Sequence, residues 1–258
     1  MTSRNYTSLV VIIEELVKSQ VYDNYPAQWD ENHITRSLFN SFQANLNDLL
    51  ITGFKKNLII KWDAFKNKGT QQQNFCNAAI IVKISHKDQP SIEGAAIVET
   101  RKRTPNTVTF DDLKWKQLGK VYRNSPFSQL VLYDYADISS FSSNVILRMP
   151  PFGYGSLRER ILVSPYTYAA VTSANIATHR KANDSSLYRF SLPFSHQLVM
   201  RYVHGFELDF SNKAVSIAKG DANPLGFPKT LLCINVSEEN AADERQIEIN
   251  KNLWEQMR

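Results

Sequence analysis

The chain predicts an α/β fold with a mixed central sheet flanked by helices, and three observations carry that prediction. Short apolar runs bounded by polar turns recur at Leu58–Trp62, 78–84, 94–100 and Gln129–Tyr135. Two segments with helical periodicity precede them, and a third lies between the last two runs. At 258 residues the chain is long enough to bury a sizeable core.

The first helix spans 8–19, where Leu9, Val10, Ile12, Ile13, Leu16 and Val17 recur at helical spacing. A break at Tyr22–Pro26 follows. Asp30 supplies an N-cap, and Glu31 to about Phe54 reads as a long amphipathic helix directing Ile34, Leu38, Phe42, Leu46 and Leu49/Leu50 inward. Leu58–Trp62 is a short strand, and Asn67–Asn74, with Gly69 and consecutive glutamines, is a polar loop. Two strands at 78–84 and 94–100 are joined by a turn containing His86, Lys87, Asp88 and Pro90. Thr104–Thr109 is a loop, Phe110–Val121 a helix presenting Leu113, Gln117 and Val121 on related faces, and Gln129–Tyr135 a buried strand.

Beyond Asp137 the composition turns rich in Ser, Asn, Pro and Tyr, which divides the chain into a core at 1–137 and a C-terminal α+β extension at 138–258, packed on the core. Val145–Leu147 and Ile161–Val163 read as short strands around Pro150 and Pro151. Ser195–Val203 reads as a helix stopped by Gly205. Thr230–Val236 is an apolar strand. Residues 237–258 open on Glu238 and Glu239 and close on Lys251 and Arg258, the charge order a helix dipole favours.

Composition excludes several classes. No apolar run reaches the roughly 18–20 residues of a membrane span, so no membrane partner is expected. The Leu9–Ile13 run is followed at once by Glu14 and Glu15, unlike a signal peptide. Cys76 and Cys233 offer neither a disulfide framework nor a cysteine zinc site, and a reducing, cytoplasmic setting is the expectation. The five histidines show no zinc spacing, Gly220–Thr230 departs from a phosphate-loop spacing, and Ser156 lacks the flanking glycines of a nucleophile elbow.

Charge is unevenly placed. Between residues 100 and 123, Arg101, Lys102, Arg103, Lys114, Lys116, Lys120 and Arg123 oppose Asp111 and Asp112, a local surplus of five that equals the formal charge of the whole chain, +5. Such a stretch suits a polyanion, because Lys and Arg contacts to phosphates supply most sequence-independent affinity. A solvated helix face plus a loop accounts for it equally well.

The chemistry-bearing residues cluster where the paired strands meet. Asn77 opens the first, and Glu99 closes the apolar run of the second, followed by Thr100, Arg101, Lys102 and Arg103. Glu31 begins the long helix, where the helix dipole alone also favours an acid. Gln117 sits on the following helix. This arrangement, over roughly 28–135, resembles the PD-(D/E)xK superfamily of restriction-like and repair nucleases. The resemblance implies a restriction-endonuclease-like core, a Mg²⁺ site formed by Glu31, Asn77 and Glu99, and catalytic roles for Glu99, Lys102, Glu31 and Gln117. It further implies a DNA partner contacted by the basic residues just named, and membership of a bacterial anti-phage or plasmid-defence complex with other protein subunits.

Two positions depart from the family pattern. Asn77 stands where the first acid belongs, and an amide brings no negative charge to a cation that prefers hard oxygen ligands. Arg101 stands where the lysine of Glu-x-Lys belongs, and arginine does not give up its proton. Lys102 would point to the other face of a regular strand. Asp88 and Glu93 are candidate substitute acids. Both departures weaken catalysis and retain phosphate affinity, so a DNA-binding subunit with a degenerate metal site leads. An active Mg²⁺-dependent endonuclease and a non-enzymatic scaffold are the alternatives.

Overall fold

The computed structural model describes residues 3–47, 49–52, 57–69, 74–111, 113, 115–139, 166–221, 226–239 and 246–257. The fold is α/β. Among these residues ten strands form one mixed sheet: β1 (Ser3–Arg4), β2 (Leu49–Thr52), β3 (Asn57–Asn67), β4 (Asn74–Ser85), β5 (Ile92–Lys102), β6 (Gln129–Ile138), β7 (Thr167–Ser173), β8 (Leu192–Pro193), β9 (Phe227–Glu238) and β10 (Trp254–Gln256). The order is β1-β2-β3-β9-β4-β5-β6-β7-β8, with β10 added alongside β3. β9 pairs parallel to β4 and antiparallel to β3, and β5 pairs parallel to β6. Residues on both sides of 137 therefore share one sheet, and a late strand threads through its centre.

Among the described residues five α-helices of seven or more residues accompany the sheet: α1 (Tyr6–Val21), α2 (Glu31–Leu46), α3 (Trp115–Asn124), α4 (Ala174–Arg180) and α5 (Asn212–Lys219). Strand alternation explains why both faces need cover. Ala96 and Val98 of β5 pack in a cluster with Leu9, Ile13, Ile34, Leu38 and Phe42 of α1 and α2. Ala95 and Ile97 join Ala214, Ile217 and Ala218 of α5 on the other side. A third cluster places Leu118 of α3 and Ala174 and Ala177 of α4 against Leu130 and Leu132 of β6. Among the described residues no helix is long and apolar enough to cross a membrane.

Several boundaries differ from the sequence expectation. α2 stops at Leu46, eight residues before Phe54, because Asn47 leaves helical backbone and its Oδ1 accepts from Trp62 N at 2.8 Å. The apolar run after it becomes β2, whose partner is β3. α3 begins at Trp115 and not at Phe110, which instead bridges Arg103. Residues 246–257 hold no helix and contribute β10, with Trp254 Nε1 bonded to Lys219 O at 2.9 Å. β7, α4 and α5 were not expected. The strands expected at Val145–Leu147 and Ile161–Val163 lie outside the described residues. The segment Phe194–His204 is helical as expected, passing through a π turn at Gln197–Arg201 before Gly205 caps it.

One buried carboxyl makes this packing sensitive to pH. Glu14 of α1 lies in the interior, where Ser195 Oγ donates to its Oε2 while Oε1 has no hydrogen-bond partner. Burial pushes it up to about 7, against the hydrogen bonds from Ser195 and Thr167. With the native value raised, the folded chain holds a proton that the unfolded chain loses first, so stability falls as pH rises toward 7 and levels off above it. The expected loss from this group is on the order of 3 kcal/mol across that window. Urea unfolding of Glu14→Gln should show a flatter pH profile and a more stable protein at pH 8; an unchanged profile would refute the assignment.

Candidate functional site

The site forms where α2 meets the ends of β4, β5 and β9. The Asp30 carboxylate accepts from the backbone N–H groups of Asn32 and His33 at 3.0 and 2.9 Å, the expected N-cap. That cap sets the first turn of α2, and Glu31, over the sheet. The β4–β5 register pairs Ala78 with Val98, so one step further Asn77 stands opposite Glu99. The local backbone of β4 is irregular. Its register with β9 shifts between Asn74 and Cys76, and Cys76 and Ala78, two residues apart, feed different core clusters. A break in the two-residue period lets groups associated with both faces meet in one place.

Glu31, Asn77, Glu99, Arg101, Lys102 and Gln117 all line one pocket of about 400 Å³, together with Asp30, Cys76, Asp111 and Lys229. At its centre is the Arg101 guanidinium. Nη2 lies 2.9 Å from Glu99 Oε1, and Nη1 lies 3.6 Å from Glu31 Oε1. Nη1 also donates to Asn77 Oδ1 at 3.3 Å, while Asn77 Nδ2 donates to Glu31 Oε1 and Asn32 Oδ1, each at 3.2 Å. Asn77 can serve here because an amide both donates and accepts. Burial pushes both the Glu99 and Glu31 carboxyls up from the usual carboxylate range, and Arg101 is the main opposing influence on each. Glu99 is 2% exposed, and its second oxygen, Oε2, is buried without a hydrogen-bond partner.

Mg²⁺ fits this arrangement poorly. The three ligands implied by the family pattern do converge, but on a guanidinium that already supplies the balancing positive charge. Among the described residues no group of three or more His, Cys, Asp and Glu is placed to hold a metal. The two substitute acids are remote. Asp88 sits in the exposed turn with φ 60°. Glu93 pairs with Lys219, and six residues of strand separate it from Glu99 by roughly 20 Å.

The basic stretch divides into two sets. Arg101, Lys102 and Arg103 are engaged internally: Lys102 Nζ is 2.9 Å from Asp111 Oδ2, and Arg103 Nη1 is 3.0 Å from Asp134 Oδ2. Lys116, Lys120 and Arg123 are exposed on α3, spaced along one helical stripe. Lys114 lies outside the described residues. Lys229 was not anticipated. It enters from β9, lines the pocket and donates to Asn32 Oδ1 at 3.0 Å. Its only signal in the sequence is a lysine opening an apolar strand; the parallel β9–β4 pairing that brings it to Asn77 is a long-range event.

No family model, curated protein or solved structure matches the chain.

Proposed function

We propose that this protein binds DNA beside a restriction-nuclease-like site in which Arg101 has taken the place of the metal, so that the site holds nucleic acid without cutting it. The observation that carries the reading is the Arg101 guanidinium between Glu99 and Glu31, at 2.9 and 3.6 Å. A divalent ion would have to displace a buried, permanently charged group from two carboxylates. Lys229 on the pocket wall and the stripe of Lys116, Lys120 and Arg123 on α3 supply cations for phosphates. Membership of a bacterial defence complex is part of the proposal on the strength of the family resemblance alone.

Plasmid DNA incubated with the protein and Mg²⁺ or Mn²⁺ should stay intact, and cutting that disappears in Glu99→Ala would overturn the reading. Affinity for duplex DNA should fall with salt. Replacing Lys116, Lys120 and Arg123 with alanine should flatten the slope of log affinity against log salt by roughly 2–3, near 0.9 for each lost phosphate contact. A slope unchanged by all three substitutions would remove α3 from the interface.

A further inference from the structure

A part-buried group of aromatic rings adjoins the pocket, built by residues that flank its lining. Trp29 immediately precedes Asp30, and Arg103 immediately follows Lys102. Tyr25 stacks on Tyr135 with ring centroids 4.3 Å apart and planes at 17°, and Trp29 meets both edge-on at 5.5 and 5.7 Å. The Arg103 guanidinium lies 5.3 Å from the Tyr135 ring centroid.

The polar edges of Trp29 and Tyr135 are satisfied by backbone. Trp29 Nε1 donates to Arg103 O at 2.8 Å, and the Tyr135 hydroxyl accepts from Asn106 N at 2.9 Å. Arg103 is held in turn by Asp134. The rings are thus locked in place without being submerged. Aromatic residues that serve only packing in this protein, such as Phe39, Phe42, Trp62 and Phe194, are at most 1% exposed. Tyr25 N donates to Tyr22 O at 3.1 Å, and Tyr22, 48% exposed, and Tyr166, 37% exposed, flank Tyr168 at 5.3 and 6.3 Å.

Rigid, part-exposed rings beside a site with cations are what unpaired bases recognise, since every base offers a face to stack and its phosphate a charge to neutralise. Duplex DNA conceals those faces. We propose that Tyr25, Trp29 and Tyr135, extended by Tyr22 and Tyr166, form a stacking platform for single-stranded DNA whose phosphates run toward the pocket. This rests on the DNA-binding reading above and names its substrate class: an unpaired strand, end or bubble in preference to an intact duplex.

The test is a polarisation titration of the full chain with a labelled 20-nucleotide oligothymidylate and with a 20-base-pair duplex, at one salt concentration. The single strand is expected to bind about tenfold or more tightly than the duplex. Tyr25→Leu with Tyr135→Leu should weaken single-strand binding by about tenfold, leave duplex binding unchanged and preserve the salt slope, because stacking releases no counterions. If that pair fails to fold, Tyr22→Ala with Tyr166→Ala, both at exposed positions, reads the same contrast. Equal binding of both DNA forms, or single-strand binding indifferent to the foldable pair, overturns the platform and leaves the DNA-binding reading standing. Binding of neither form overturns both.

Discussion

Replacing Arg101 with alanine should destabilise the protein by about 3–5 kcal/mol at neutral pH, the range expected when one partner of a buried ion pair is removed. Arg101 is 7% exposed and is the cation facing both Glu31 and Glu99. Without it the buried Glu99 and the part-buried Glu31 confront each other across Asn77, with Lys229 left to offset Glu31 alone. Burial already raises both carboxyls, and Arg101 opposes that rise, so its removal sends them higher still. The native state then takes up protons that the unfolded chain releases earlier, and the deficit relative to the parent protein should grow as pH rises from acid to neutral. Urea unfolding of parent and variant at pH 5 and pH 8 measures this. Adding Glu31→Gln and Glu99→Gln to Arg101→Ala should recover most of the loss, a strong coupling of the kind contacting residues show. Additive losses would mean that Arg101 acts through packing and not charge.

The same ion cluster shows what a single sequence reveals and what it withholds. The β4–β5 pair, the Asp30 cap and the position of Glu31 are legible because each depends on residues within one turn or one hairpin. Continuous apolar runs at 78–84 and 94–98 joined by a polar turn announce a hairpin buried on both faces, and a capping aspartate announces a helix start. Even the pairing of Asn77 with Glu99 follows from that hairpin. The end of α2 is less legible, since Leu49–Thr52 is apolar enough to continue a helix and becomes a strand only because β3 is there to pair with it. Likewise Trp254 looks helical from charge order and is drawn into β10 by Asn67 on β3. Lys229 is illegible for a topological reason: β9 reaches β4 across most of the chain. The contact of Arg101 with Glu99 follows from strand spacing, since residues two apart share a face, but its contact with Glu31 depends on how α2 packs over β5, which spacing does not encode. In the sequence alone Arg101 stands out as a departure from the lysine of the pattern the chain resembles. Its geometry gives that departure a physical consequence, because a planar five-donor fork fills the space between two carboxylates and an amide in a way a single ammonium would not.

That consequence can be reversed. The double substitution Asn77→Asp with Arg101→Lys restores the family's charge pattern beside Glu31 and Glu99, and it should create a divalent-metal site where the parent has an internal ion pair. One added unit charge about 4 Å from a divalent ion is worth on the order of 8 kcal/mol at an effective dielectric near 20, of which desolvation of the ion and the carboxylate cancels the larger part. A gain of about 100-fold in Mn²⁺ affinity by calorimetry is therefore the expected outcome, with nicking of supercoiled plasmid appearing in Mg²⁺ or Mn²⁺. The single variants should not share it. Asn77→Asp alone gives Arg101 a third acidic neighbour and holds the guanidinium more tightly in the centre. Arg101→Lys alone removes the fork but leaves an amide where a carboxylate is needed. The gain should thus be strongly non-additive, and Glu99→Gln in the double variant should abolish it. A double variant that folds, binds Mn²⁺ no better than the parent and leaves plasmid intact would show that charge pattern is not what separates this pocket from a nuclease. The two substitutions at 77 and 101 would then be incidental to its chemistry, and the resemblance to restriction-like enzymes would lose the residues on which it stands.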